Sequence, residues 1–250
     1  MKRSNLLKFA SFALAVAFLF SLNLDASAQI WNRKKTTNNS NQTNTNVSDS
    51  KISLGLKEAL SQGVRFAVNS LGKEDGFYDN LDVKIPLPKS LKSAARVVRF
   101  AGYGDRVDAF ELAMNRAAEK AVPVAVDVFI DSIKQMTFTD AKNILFSGED
   151  DAATQFFRRT TEDKLRGKFR PIVEDFTAET GVTQSYKNMM DKAGFLARFV
   201  GSDARDLDGY ITEKALDGVY YMVAQEEKKI RKDPLGRTTQ ILRDVFGILK

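Results

Sequence analysis

Three groups of side chains in this sequence have the types and spacing to do chemistry. The first is Asn115, Arg116 and Glu119, which interrupt an alanine-rich stretch just before Pro123. Alanine lets helices approach closely, so this trio is expected to be partly buried and hydrogen-bonded. It reads as a small polar pocket or as an interhelical network of hydrogen bonds and ion pairs. The network is favoured, because buried charges usually occur paired. The second group is Arg158-Arg159-Thr160-Thr161, directly after Phe156-Phe157. Paired guanidinium groups and hydroxyls suit a phosphate or a carboxylate. Consecutive arginines more often point to different sides of a helix, one pairing with an acid and one solvated.

The third group is acidic: Glu213, Glu226 and Glu227. A hydrolase working with two carboxylates needs them close together. Glu213 and Glu226 stand roughly 20 Å apart along one helix at 1.5 Å per residue, so a shared site needs a second helix. Glu226-Glu227-Lys228-Lys229 otherwise reads as a solvated, self-paired face. Two further motifs match by spelling only. Asp206, Asp208 and Gly209 would fill positions of a calcium loop, but Ala204 and Ala215 stand where its first and last ligands belong. Gly102-Tyr103-Gly104 begins like a dinucleotide fingerprint, yet it follows a helix and Val107 replaces the third glycine.

The residue types that are missing narrow the chemistry further. The chain has no cysteine and no histidine, which rules out disulfides, thiolate nucleophiles and Ser-His-Asp machinery. It also removes the usual general base near neutral pH and the usual zinc ligand. Nothing points to a cofactor, and no metal site is expected. The net charge of +6 suggests a nucleic-acid binder until it is divided along the chain. Residues 1–28 and 29–50 each carry +2, which leaves +2 of that total on the rest. That remainder reads as a mixed, solvated surface, so nucleic acid is not an expected partner.

These groups must be positioned by helices. From Ile52 onward apolar residues recur every three or four positions, the pattern of amphipathic helices packed on a common core. Leu56, Leu60, Val64, Ala67 and Leu71 form one stripe, ended by Gly72. Further helices are expected over 89–100, 105–121 and from Pro123 to Lys134. Thr139-Asp140 should open a short one ending at Phe146. The stretch 150–179 should be helical with a break at Pro171, because proline lacks an amide donor. The spacing then predicts helices over 183–193, 208–231 and 235–249. One stretch differs. Asp75–Pro88 (DGFYDNLDVKIPLP) has turn formers, alternating apolar residues and two prolines, so it should be extended. Its alternation places Leu81, Val83 and Ile85 on one side, and that side should pack on the domain's own helices. The fold class is therefore all-α, a bundle of about eight or nine helices with one extended arm.

The N-terminus reads as an export signal. Lys2, Arg3 and Lys8 precede an apolar run from Phe9 to about Leu24, and Ala26-Ser27-Ala28 supplies a small-residue cleavage site before Gln29. The most apolar part is shorter than the ~20 residues of a spanning helix, so no stable membrane span is expected after cleavage. Residues 29–50 are rich in Asn, Thr and Ser and read as a disordered linker to a single helical domain over 51–250. The protein is thus expected to be periplasmic or secreted.

Several segments carry a resemblance. They are GLKEAL (Gly55–Leu60), KIPLP (Lys84–Pro88), AMNRAAEKAVP (Ala113–Pro123), DAKNIL (Asp140–Leu145) and ATQFFRRTT (Ala153–Thr161). KFRPIV (Lys168–Val173) and KALDGVYYMVAQEEKKIRKDP (Lys214–Pro234) continue it. In these the chain resembles a family of exported bacterial proteins known only as a domain of unknown function. The resemblance implies an all-α exported domain and supplies no activity, substrate or catalytic residue. The expected role is a non-enzymatic binding or interaction module with an unidentified protein partner. The alternatives are a carrier of an apolar ligand between helices, for which the 18 phenylalanines leave room, and a carboxylate-based hydrolase.

Overall fold

The computed structural model describes residues 49–193 and 206–232. The signal, nearly all of the linker and the helix expected over 235–249 lie outside the described residues. The first helix, α1 (Asp49–Leu71), begins two residues inside the expected linker. It is followed by α2 (Lys92–Phe100), which a 3₁₀ turn at Lys89–Leu91 leads into, and by α3 (Gly104–Ala121). Val122–Val124 forms a second 3₁₀ turn with Pro123 early in it, where the missing amide costs no helical hydrogen bond. It delivers the chain into α4 (Ala125–Gln135). Then come α5 (Phe138–Phe146), α6 (Ala152–Glu179), α7 (Val182–Ala193) and α8 (Leu207–Lys232). Among the described residues there is no strand, so the chain is all-α.

Two boundaries differ from the sequence expectation for local reasons. α5 starts at Phe138 because Thr137 caps it. The Thr137 hydroxyl accepts from the Asp140 amide at 3.1 Å, and the Asp140 carboxylate accepts from the Thr137 amide at 2.9 Å. α6 runs through Pro171 without a break. Phe169 and Val173, on either side, are fully buried, and the packing of that face outweighs one lost hydrogen bond. Gly181, at φ 73°, lies just beyond the end of α6, where a left-handed residue stops a helix.

The long helix α8 packs against both α6 and α1, and α3 packs against α6 and α7. Between them lies a core in which Phe77, Phe110, Phe129, Phe157, Phe169 and Tyr220 are fully buried. The rings fill space against one another. Phe129 meets Phe157 at 5.1 Å and Tyr220 at 5.9 Å, both edge to face. The Tyr220 hydroxyl is 2.9 Å from the Thr161 hydroxyl, which satisfies its polar end inside the core. Burial pushes the Tyr220 phenol up to about 12, so it stays neutral at any ordinary pH.

The arm between α1 and α2 turns twice before it extends. Asp75 adopts the left-handed region at φ 62°, which aspartate tolerates better than most residues. A second turn closes with the Val83 and Lys84 amides on the Asn80 carbonyl. The Asn80 side chain also accepts from the Asp82 amide at 3.2 Å. Leu81 sits at the tip of this turn and is 87% exposed. It therefore does not share the buried side with Val83 and Ile85, because the alternation applies only where the backbone is extended. From Lys84 to Pro88 the chain is neither helix nor turn and ends on Pro88 at φ −46° and ψ 142°, and Ile85 is 0% exposed, so this part packs on the domain's own helices. Gly218 on α8 lets the arm come close, since a Cβ there would stand 2.6 Å from the Phe77 ring.

Candidate functional site

The trio on α3 forms a network, and its target is the arm. The Asn115 side-chain oxygen accepts from the Ile85 amide at 2.8 Å, while its nitrogen donates to the Ile85 carbonyl at 3.0 Å. Glu119, one turn further on, accepts from the amides of Phe77 at 3.0 Å and Tyr78 at 3.3 Å. Arg116 donates to Glu119 at 2.6 Å and to Asp75 at 2.7 Å, and reaches Glu74 at 3.3 Å. Partial burial acts to lower the Arg116 pKa, but its hydrogen bonds to Glu119 and Asp75 win and raise it. The side-chain oxygen and nitrogen of Asn115, both carboxylate oxygens of Glu119 and both terminal nitrogens of Arg116 hold backbone or a charge partner.

The acidic group is not the solvated face that its spelling suggests. Glu227 is 4% exposed, and its carboxylate accepts from the amides of Ala153 and Thr154, both at 2.9 Å. It also accepts from the Thr154 hydroxyl at 2.9 Å. These are amides of the first turn of α6, which have no partner within their own helix. Arg231 donates to Glu227 at 2.8 Å and to the Ile144 carbonyl, near the end of α5, at 2.9 Å. An anion thus sits on a helix start and a cation on a helix end, as the backbone dipoles favour. Glu226 is buried as well, with Lys229 on it at 2.5 Å, so that pairing holds while the solvation does not. Glu213 pairs with Arg166 at 2.6 Å on the surface. No two of these three glutamates form a catalytic pair.

The two arginines of α6 part as adjacent helical residues do. Arg158 lies 3.6 Å from Asp217 and 4.5 Å from the centre of the Tyr220 ring. Arg159 lines a separate shallow cleft of about 140 Å³ with Asp140, Asn143, Glu149 and Gln155, and has no ion pair among the described residues. The two do not share an anion. Asp206 is a helix cap: it accepts from the Gly209 amide at 2.9 Å and pairs with Arg170 at 3.1 Å. The amide bond holds its carboxyl below the usual carboxylate range. Among the described residues no group of three or more acids could hold a metal ion.

Polar groups that the fold does not use gather elsewhere, on α2. Its inward residues Leu91, Ala94, Ala95 and Val98 are buried, and the opposite side faces solvent. Between Lys89 and Arg106 the sequence holds five cations and one acid, so the charge of the domain is less evenly mixed than its total implies. Arg99 pairs with Asp108 at 2.5 Å, but Lys89, Lys92, Arg96 and Arg106 have no ion pair among the described residues. Close to them in sequence Phe100 is 95% exposed, and Val97 and Tyr103 are 43% and 40% exposed. Lys192 of α7 lies 4.7 Å from the centre of the Tyr103 ring. After Phe100 the chain turns through Gly102 at φ 85°, with open space around it. Sequence reasoning passed over this face, although basic residues interleaved with Val97, Phe100 and Tyr103 were visible in the spelling.

No curated protein and no solved structure matches the chain. A family model does match, over residues 46–247, and its description is a protein of unknown function, DUF4197. The match covers every described residue, including α2, the arm and the buried Glu119, Glu226 and Glu227. The chain therefore belongs to the DUF4197 family.

Proposed function

We propose that the protein is an exported, non-enzymatic binding module whose working surface is the outer face of α2. The observation that carries this reading is the contrast in how polar groups are used. Asn115, Glu119 and Glu227 hold backbone of distant segments, whereas Lys89, Lys92, Arg96 and Arg106, close in sequence to the exposed Phe100, have no ion pair among the described residues. The hydrolase alternative loses its best carboxylates to these structural bonds. The carrier alternative loses its cavity lining, because the interior phenylalanines pack ring against ring. Export is supported by the charged, apolar and small-residue order of residues 1–28. No described helix is long and apolar enough to cross a membrane.

A photo-crosslinking amino acid placed at position 100, and separately at Phe146, tests the working surface. Phe146 is also an exposed aromatic, at the end of α5. In cells that make the protein, adducts should form at position 100 and not at 146. Equal labelling at both positions would overturn the reading. N-terminal sequencing of the mature protein tests export: a chain starting at Gln29 is expected, and one starting at Met1 would refute it.

A further inference from the structure

We infer that the outer face of α2 docks the protein on an anionic phospholipid surface, with Phe100 entering the interface. The inference rests on α2 being the working surface and names its partner. A projecting phenylalanine with a partly exposed valine and tyrosine near it in sequence is an apolar ridge that water solvates poorly. Phenylalanine, like tryptophan and leucine, is a residue that surface-bound segments bury at the boundary between lipid headgroups and acyl chains. The exposed Lys89, Lys92 and Arg96 precede that ridge in the chain and Arg106 follows it, and the four have no ion pair among the described residues. Long basic side chains beside an inserted ring can extend their charged ends to lipid phosphates. Each such cation adds about fivefold to binding at an anionic leaflet, an effect that salt screens.

The shape favours a membrane over other acidic partners. Phe100 projects almost wholly into solvent, and the Gly102 turn beyond it has open space around it, as a surface that enters a soft interface requires. Nucleic acid is bound in basic grooves with several rings available for stacking. Here Tyr103 is already covered on one face by Lys192, and Phe100 stands as a single tip.

Because the chain has no cysteine, a single one can be placed and labelled with an environment-sensitive dye. The full chain carrying Val97→Cys is compared with one carrying Lys168→Cys, an exposed control on α6. Vesicles of phosphatidylglycerol with phosphatidylcholine should raise and blue-shift the dye at position 97 and not at 168. Vesicles of phosphatidylcholine alone should do neither. Adding Lys92→Glu and Arg96→Glu should weaken the response at least tenfold in lipid concentration while thermal melting stays unchanged. Equal responses at 97 and 168, equal responses to both lipids, or no effect of the charge reversals would each overturn the inference. So would a dye response at 97 to duplex DNA with none to vesicles. If vesicles fail while position 100 still crosslinks to a protein in cells, the lipid assignment falls and the α2 surface stands.

Discussion

Glu119 and Glu227 perform the same act at two places, and their surroundings make it unequal. Each is a buried carboxylate that accepts two consecutive backbone amides from a distant segment and pairs with an arginine on its own helix. At the arm the arginine is Arg116, which also reaches Asp75 and Glu74. At the start of α6 it is Arg231, whose other partner is a neutral carbonyl. Losing Glu119 leaves its cation with two acids. Losing Glu227 leaves one with no acid among the described residues, beside a helix start without its cap. The same bond is thus worth more where fewer neighbours can stand in for it.

The largest effect expected is for Glu227→Ala, on the order of 3–5 kcal/mol, because a mostly buried arginine loses the one carboxylate it pairs with among the described residues. Glu119→Ala should cost less, about 1–3 kcal/mol, as two amides lose a partner while Arg116 keeps its own. Urea unfolding of both variants checks the ranking, and equal costs would dissolve the comparison. Ile85→Ala should cost roughly 2–5 kcal/mol, since its side chain is fully buried where the arm meets the core. An unchanged melting temperature for that variant would mean the arm contributes no stability. The smallest change is Thr137→Ala, about 1 kcal/mol, an exposed helix cap set against the buried one.

The Thr137 cap also has a pH signature. Its hydroxyl and amide bonds hold the Asp140 carboxyl below the usual carboxylate range. A carboxyl lowered in the folded state gives stability that is present above its unfolded pKa, near 3.8. That stability is lost as pH falls through the lowered value. Melting followed from pH 5 down to pH 2 should show a slope that Asp140→Asn reduces. An identical slope in that variant would remove Asp140 from the account.

The helices were legible because each pairs a three- or four-residue apolar period with a clear stop, as in Leu56 to Gly72. The network character of Asn115, Arg116 and Glu119 was legible too, from charge among alanines. Its target was not, since Ile85 lies 30 residues away and no local pattern links the two. Glu227 was misread for the same reason. Its own neighbours spell a surface face, and the amides it holds belong to residues 73 and 74 positions earlier. Pro171 misled in the opposite direction, because a local rule was outweighed by burial on either side of it. Leu81 failed because a period of two was carried across a turn.

The Asn115 bonds have a consequence for how the protein behaves among its own copies. An extended segment ordinarily presents a ladder of amides and carbonyls on which another chain can build. Here one helix side chain takes both groups of Ile85, as a neighbouring strand would. The Tyr210 hydroxyl takes the carbonyl of Pro86 at 2.9 Å, and the two prolines have no amide to offer. The rung on which a second molecule would add itself is already occupied. The arm therefore has the backbone of an edge strand without the edge, which closes a common route to self-association at the most strand-like part of the chain.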